Sequence, residues 1–192
     1  MKLPQQDTFF RNRPNYEEAD YRICMQYCKG RRTAVDIGAH VGYWSMRLVQ
    51  SFEHVIAFEP VAEHRMCLRF NVQSPKLQIE PYAVGLEACT ELLEIHLENS
   101  GMCRISTEGE PVSVRSLDSY ALDAVDLVKI DVEGYEVNVL NGMALTAQRC
   151  KPLIFIEVLP NGPRGEVAEI LTQWGYKHIA QVECNQIWRC NE

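Results

Sequence analysis

Four acidic residues stand at or near the ends of short apolar runs and could act together at one ligand site. They are Asp36, Glu59, Asp131 and Glu157. Apolar runs of this length that alternate with helical patterns predict parallel β-strands, and an α/β sheet binds its ligand beyond the carboxyl ends of those strands. We therefore expect the four carboxylates to face one crevice, where they could bind hydroxyl or cationic groups and accept a proton.

The first of these acids precedes a glycine loop. The loop runs from Asp36 to Gly42, and residues 43–50 carry apolar positions at helical spacing. Glycines let the backbone approach a ligand, and a helix amino terminus offers unpaired N–H groups. An acid two residues before the first glycine would repel a pyrophosphate but suits a ligand with a sulfonium and an amino group. The loop favours S-adenosyl-L-methionine over NAD or FAD, with candidate contacts at Asp36, Gly38, His40 and Gly42.

The other acids divide between the cofactor and its acceptor. Glu59 follows the last loop glycine by 17 residues, which places its carboxylate to accept hydrogen bonds from both ribose hydroxyls. Asp131 is the first candidate for the base that a hydroxyl acceptor needs, unless it only fixes the turn after it. Glu157 would share the acceptor site or bind a metal with Asp131. Two oxygens from distant strands are not a coordination set, so no metal site is predicted.

The element order predicts one α/β domain over residues 1–192. We expect a doubly wound, Rossmann-like sheet that is mostly parallel and has an antiparallel hairpin at its C-terminal edge. Residues 1–30 form a helical extension, and residues 88–117 form a strand-rich insertion. His96 lies in that insertion and is a candidate base or acceptor contact. The predicted strands cover 33–37, 54–60, 77–80, 90–97, 111–117, 126–131, 153–157, 176–182 and 186–190, with a turn at 82–85. The predicted helices cover 15–29, 42–51, 61–73, 135–148 and 165–174.

Composition narrows the class of protein. A formal net charge of −7 disfavours nucleic acid as a partner. Residues 1–15 contain no apolar signal-peptide core, and no apolar run approaches the ~18 residues that a membrane span needs, so we expect a cytoplasmic protein without a membrane segment. The eight cysteines are scattered without a Cys-x-x-Cys pair, which predicts free thiols.

Six short motifs follow one another in a recognisable order. They are Val35 to Gly42, Phe58-Glu59-Pro60, Ala83-Val84-Gly85, Ser116-Leu117-Asp118, Val128 to Glu136 with its continuation to Gly142, and Pro152 to Glu157. In this order and spacing, over about two-thirds of the chain, they resemble the FkbM family of class I S-adenosylmethionine-dependent methyltransferases. The family usually has Asn or another small polar residue where this chain has His40.

The resemblance implies a role for each motif. The loop from Asp36 to Gly42 would hold the methionine end of the cofactor, Glu59 its ribose, and Ala83 and Val84 its adenine. Asp131 and Glu133 would lie beside the transferred methyl group. The resemblance also implies that the doubly wound sheet has the Rossmann-like fold of class I methyltransferases.

The expected activity is therefore S-adenosylmethionine-dependent O-methylation of a hydroxyl on a sugar or other small molecule. One alternative is a ribose 2′-O-methyltransferase acting on nucleic acid, which the acidic charge disfavours, as does a predicted helix from 135 to 149 without lysine. The other is a non-catalytic module that only binds the cofactor. The chain has little material for a lid, which leaves open an acceptor site completed by a second copy of the chain in a homo-oligomer.

Overall fold

The chain forms two β-sheets with α-helices around them, and the structure, a computed structural model, describes residues 1–13 and 15–191. The strands are β1 (Thr33–Ile37), β2 (His54–Phe58), β3 (Leu77–Glu80), β4 (Ala83–Val84), β5 (Cys89–Glu94), β6 (Arg104–Ser106), β7 (Glu110–Arg115), β8 (Val125–Ile130), β9 (Leu153–Glu157), β10 (Tyr176–Val182) and β11 (Asn185–Cys190). The helices are α1 (Glu18–Tyr27), α2 (Ser45–Ser51), α3 (Ala62–Asn71), α4 (Glu136–Asn141), α5 (Ala144–Cys150) and α6 (Arg164–Gln173), with 3-10 turns at Ser100–Met102 and Leu117–Tyr120.

The large sheet has the strand order β10-β11-β9-β8-β1-β2-β3. Strands β9, β8, β1, β2 and β3 are parallel, whereas β11 pairs antiparallel with both β9 and β10. The predicted doubly wound sheet with an antiparallel C-terminal edge is confirmed. Because strand order reverses direction beside β1, the carboxyl ends of β1 and β8 open a crevice at this switch point.

Alternate residues of the central strands pack into two separate cores, one on each face of the sheet. Val35 and Val128 contribute to the core under α4, α5 and α6. Ala34 and Leu127 contribute to the core that includes Leu48 of α2 and Leu68 of α3. Both faces are buried, which explains why these strands are continuous apolar runs rather than alternating patterns.

A smaller sheet of four strands, ordered β4-β7-β5-β6, lies beyond β3 in the chain. It begins at Ala83, where the sequence indicated only a turn, because residues 83 and 84 pair in parallel with Val114 and Arg115. Strand β6 was not predicted. The tight connection before β7 has Gly109 at φ 140°, and a Cβ there would lie 2.1 Å from the Leu93 carbonyl oxygen. The assignment of 88–117 as an insertion stays a prediction.

The predicted helix over 135–148 is in fact two helices, and this prediction is wrong for a tertiary reason. The backbone of Gly142 lies so close to the Gly85 carbonyl that a Cβ on Gly142 would be 1.8 Å from that oxygen. Its own carbonyl accepts the Asp118 N–H at 3.0 Å. Contacts from Gly85 and Asp118 therefore end α4 at this point, and α5 begins as a separate helix.

The structure also bears on the cysteines and on membrane-spanning segments. All eight cysteines are free thiols, as predicted. None of the helices within residues 1–13 and 15–191 combines the length and apolarity needed to cross a membrane.

Asp118 provides the N-terminal cap of α5 from a distant part of the chain. Its carboxylate accepts the N–H groups of Leu145 at 3.0 Å and Thr146 at 2.7 Å. We expect Asp118→Ala to lower the free energy of unfolding by about 1–2 kcal/mol, the usual cost of a lost cap, as measured by urea denaturation. Asp123→Ala is the matched control, because that side chain is 89% exposed and contacts only Arg149. Equal losses in both variants would contradict the capping role.

Candidate functional site

A cleft at the carboxyl ends of β1, β2, β8 and β9 contains most of the predicted site residues. Those that line it are Gly38, His40, Glu59, Ala83, Val84, Asp131, Glu133 and Glu157. The strand ends bring these residues together from positions spread over more than a hundred residues of sequence. Further parts of the wall come from the N-terminal segment, which supplies Phe9, Phe10, Tyr16 and Glu17, and from the turn at Ser100–Met102.

Three predicted site residues do not line the cleft. Asp36 is completely buried behind it and accepts the Ser45 hydroxyl at 2.6 Å. Gly42, at φ 96°, packs against α3, where a Cβ would lie 2.5 Å from Leu68 Cδ1. His96 lies just beyond β5, with its Nε2 3.4 Å from Glu94 Oε1. These three residues lie outside the cleft, and the roles expected for them stay predictions.

Glu59 is buried and held by three donors at the end of β2. Its Oε2 accepts the His40 N–H and its Oε1 accepts the Val61 N–H, each at 2.8 Å, and His64 Nδ1 lies 3.4 Å from Oε1. Burial alone would raise the pKa of Glu59, but the His64 imidazole and the Val61 N–H outweigh it and hold the pKa below its usual range. Glu59 is thus a fixed carboxylate whose unused lone pairs can accept further hydroxyl groups.

His40 occupies the glycine loop with a left-handed backbone, φ 51°. Asn, Asp and His adopt this left-handed backbone region more often than other residues with a side chain. Asn or another small polar residue is also what the FkbM family usually has at this position. The Nε2 atom of His40 lies 2.6 Å from Ser100 Oγ. Burial, together with the neighbouring His64, lowers the pKa of His40 to about 3, so the ring is neutral at physiological pH.

Lys129 is a buried cation that the sequence reasoning missed. It is 2% exposed, and its Nζ lies 3.2 Å from Asp131 Oδ2 and 3.6 Å from Asp36 Oδ1. It also donates to the Gly38 carbonyl at 3.0 Å. Burial lowers the pKa of Lys129, but the two carboxylates raise it well above its usual range. The available signal was a lysine between Val128 and Ile130, in the apolar half of the strand.

Three carboxylates from different elements meet beside this lysine. One oxygen each from Glu17, Asp131 and Glu157 lie within 4.8 Å of one another. Burial is the main cause that raises the pKa of Glu17 to about 8 and that of Glu157 to about 9, and it also raises the pKa of Glu133 to about 7. The raised pKa values of Glu17 and Glu157 favour their protonated forms at neutral pH, which limits the negative charge of the cluster. The spacing could hold a metal ion, but the Lys129 ammonium already supplies positive charge there.

Comparison with known proteins identifies the family of this site. The model of the methyltransferase FkbM domain matches residues 36–178. The chain belongs to the FkbM methyltransferase family. A search of curated proteins gave no match.

Solved structures share the fold of this FkbM domain at low sequence identity. An FkbM methyltransferase from Methylobacillus flagellatus has 18% identity and a TM-score of 0.61, covering 83% of this chain and 43% of that one. Precorrin 8w decarboxylase from Methanobacterium thermoautotrophicum has 13% identity and a TM-score of 0.58 over 100% of both chains. Magnesium protoporphyrin IX methyltransferase from Synechocystis, solved with bound SAM, has 10% identity and a TM-score of 0.53 over 91% and 77%. The chain thus spans less than half of the FkbM structure that it matches.

The FkbM match begins at residue 36, so part of the cleft lies outside it. Asp7, Phe10, Tyr16 and Glu17 all precede the matched region. Sequence reasoning assigned none of them to the site, because residues 1–15 carry no periodic signal and the helical pattern over 15–29 does not show which of its residues reach the cleft.

Lys129→Met should destabilise the protein because it leaves the buried Asp36 carboxylate beside Asp131 without its cation. Breaking a buried ion pair on one side costs about 3–5 kcal/mol, and urea denaturation would measure the loss. The double variant Lys129→Met/Asp36→Asn should recover part of it, since one of the unpaired charges is then removed. A single variant as stable as the wild type would contradict this account of Lys129.

Glu157→Gln tests the proton assigned to Glu157. The folded protein keeps that proton up to about pH 9, whereas the unfolded chain releases it near 4.5. Its contribution to stability is therefore full below about pH 4.5 and is lost as the pH rises toward 9. The melting temperature of Glu157→Gln relative to wild type should rise between pH 6 and pH 9, with exposed Glu108→Gln as the flat control. A constant difference across this range would show that Glu157 titrates normally.

Proposed function

We propose that this protein is an S-adenosylmethionine-dependent methyltransferase that methylates a hydroxyl group of a sugar or another small molecule. The observation that carries the proposal is the carboxylate of Asp131 at the end of β8, inside the cleft of an FkbM fold and beside a buried lysine. Two questions follow from it: whether the cleft suits the cofactor, and which group takes the proton of the acceptor.

The donor and acceptor groups of the cleft suit this cofactor. Glu59 presents an acceptor-only carboxylate for ribose hydroxyls, and Ala83 and Val84 offer an apolar wall for a flat base. Gly38 has φ 75°, and a Cβ there would lie 1.8 Å from the Asp131 carbonyl oxygen, so the loop can pass close to the strand only with glycine. At the opposite end of the cleft, the carboxylates around Asp131 favour positively charged groups of the ligand. When bound, the cofactor supplies a methyl group on a sulfonium centre.

Asp131 is the base in this proposal. A hydroxyl oxygen that accepts a methyl group must lose its proton, and a positioned carboxylate typically contributes 10²–10⁴-fold by taking it. Lys129 holds one oxygen of Asp131 at 3.2 Å, which fixes the orientation of the carboxylate. Glu157 lies in the same cluster and has a raised pKa, so the pair would share protons as coupled carboxyl groups do.

The remaining walls indicate an acceptor with an apolar side. Leu93, Met102, Ile105 and Val132 line the cleft together with Phe9. Lys129 is the one lysine or arginine among the described residues that line it, and it is buried in contact with acids. A polyanionic nucleic acid would find no exposed cations in this cleft, and this disfavours the 2′-O-methyltransferase alternative. A module that only binds cofactor would not need the Asp131 arrangement.

Asp131→Asn tests the role of the base. Wild-type protein should bind S-adenosylmethionine in isothermal titration calorimetry and release S-adenosylhomocysteine with one member of a panel of methyl glycosides and other small hydroxylated compounds. Asp131→Asn should lower turnover by about 10²–10⁴-fold, a much larger effect than the loss of cofactor affinity that follows from removing one charge near the cationic end of the cofactor. Exposed Asp123→Asn should leave both unchanged.

Two results would count against the proposal. Absence of cofactor binding by the wild-type protein would remove the methyltransferase function. Full turnover by Asp131→Asn would leave that function intact and remove Asp131 from the proton transfer.

A further inference from the structure

We propose that Asp7 and Ser100 are positioning residues of the cofactor site that act through His40 on the Glu59 carboxylate. This inference rests on the proposed function, because the ligand whose affinity they control is the cofactor. It extends the site to a segment of the chain that the FkbM match does not include.

Asp7 and Ser100 together join three separate segments by hydrogen bonds. The Asp7 side chain is fully buried and accepts the Phe10 N–H at 2.9 Å and the Ser100 N–H at 3.0 Å. It also accepts the Ser100 hydroxyl, whose oxygen lies 2.6 Å from His40 Nε2. The chain of contacts thus runs from the N-terminal segment, through the turn of the smaller sheet, to the glycine loop.

The direction of each hydrogen bond follows from the chemistry of the groups. An ionised carboxylate only accepts, so the hydroxyl proton of Ser100 points to Asp7. The Ser100 oxygen is then left as an acceptor, and His40 Nε2 must carry the proton that it receives. Asp7 and Ser100 therefore select one tautomer of a neutral His40 ring. The hydrogen bonds from Ser100 and from the Phe10 N–H outweigh burial and lower the pKa of Asp7, which keeps it ionised.

His40 passes this constraint on to Glu59 through the backbone. Its left-handed conformation is uncommon for residues with a Cβ, although His adopts it more readily than most, and the anchored side chain helps to hold the loop there. In that conformation its N–H donates to Glu59 Oε2 at 2.8 Å. Without the anchor the loop could relax, and the carboxylate would lose one of the donors that orient it.

Aromatic packing supports the same arrangement. The Phe10 ring lies 5.0 Å from the His40 ring and 5.6 Å from the Tyr43 ring, measured between centroids. A Cβ on Gly101 would lie 2.8 Å from Phe10 Cζ, so the turn approaches this ring closely only because residue 101 is glycine. Phe10 therefore fills the space between the turn and the loop.

Coupling between two sites is reciprocal. If Asp7 orients Glu59 for the cofactor, then cofactor bound at Glu59 must stabilise the contacts of Asp7. The N-terminal segment should accordingly exchange its amide hydrogens more slowly when the cofactor product is bound. Exchange of this segment is a readout that does not depend on turnover.

The experiment compares the wild type with Asp7→Asn and Ser100→Ala. Asn keeps the shape of Asp but offers one acceptor oxygen to three donors, and Ala removes the link to His40. The dissociation constant for S-adenosylhomocysteine, measured by calorimetry, should rise by roughly tenfold in each variant. The protection of residues 2–13 by S-adenosylhomocysteine in hydrogen exchange should fall in both. Thr8→Ala is the matched control, because its hydroxyl bonds only the Glu98 carbonyl, at 3.3 Å on the surface of the same segment.

Further measurements separate positioning from general destabilisation. The double variant should bind no more weakly than the weaker single variant, since residues in one chain of contacts are not additive. With a working acceptor, KM for S-adenosylmethionine should rise while kcat and KM for the acceptor change by less than about threefold. Equal losses in all three constants would overturn the positioning role, and so would wild-type affinity and wild-type protection in both variants. A wild-type protein that binds neither cofactor form would instead overturn the proposed function, and this inference with it.

Discussion

The buried ammonium of Lys129 is the interaction on which the site depends. Asp36 and Lys129 are register partners on neighbouring parallel strands, and Asp131 follows two residues later on the same strand as the lysine. Two carboxylates at a buried strand end would be costly in a medium of low polarity. The lysine makes this placement possible, and its bond to the Gly38 carbonyl also ties the glycine loop to the central strand. The Lys129 ammonium therefore contacts the sheet, the glycine loop and the acid cluster at once.

One lysine does not neutralise every acid nearby, and the remaining acids favour their protonated forms. Glu17, Glu133 and Glu157 all have raised pKa values, with burial as the first cause and neighbouring carboxylates as a further one. A cluster in this state favours a cationic ligand, because positive charge stabilises the ionised forms that burial disfavours. The sulfonium and amino groups of the proposed cofactor have that charge. The acids would then release protons when the cofactor binds, rather than stay ionised when the site is empty.

The sequence predicted the sheet well because its strands are buried on both faces. Runs such as residues 33–37 and 153–157 contain no polar alternation, and their bounds match β1 and β9. The break between α4 and α5 was not predictable, because it depends on the Gly85 carbonyl beside Gly142. The position of His96 was also beyond reach, because its place in a strand-rich segment does not show which way the side chain faces. Asp7 and Ser100 are 93 residues apart, and neither lies in a periodic pattern.

Both ends of the cleft receive groups from the part of the chain before residue 36. At the Glu59 end, Asp7 and Phe10 hold His40 in place. At the Asp131 end, Glu17 brings a third carboxylate to Asp131 and Glu157. The FkbM fold provides the strand-end acids, and their positions follow from the sheet alone. The surroundings that set their orientation and charge come from a segment that packs against the sheet, so differences in that segment can alter the chemistry of the site without any change in the strands.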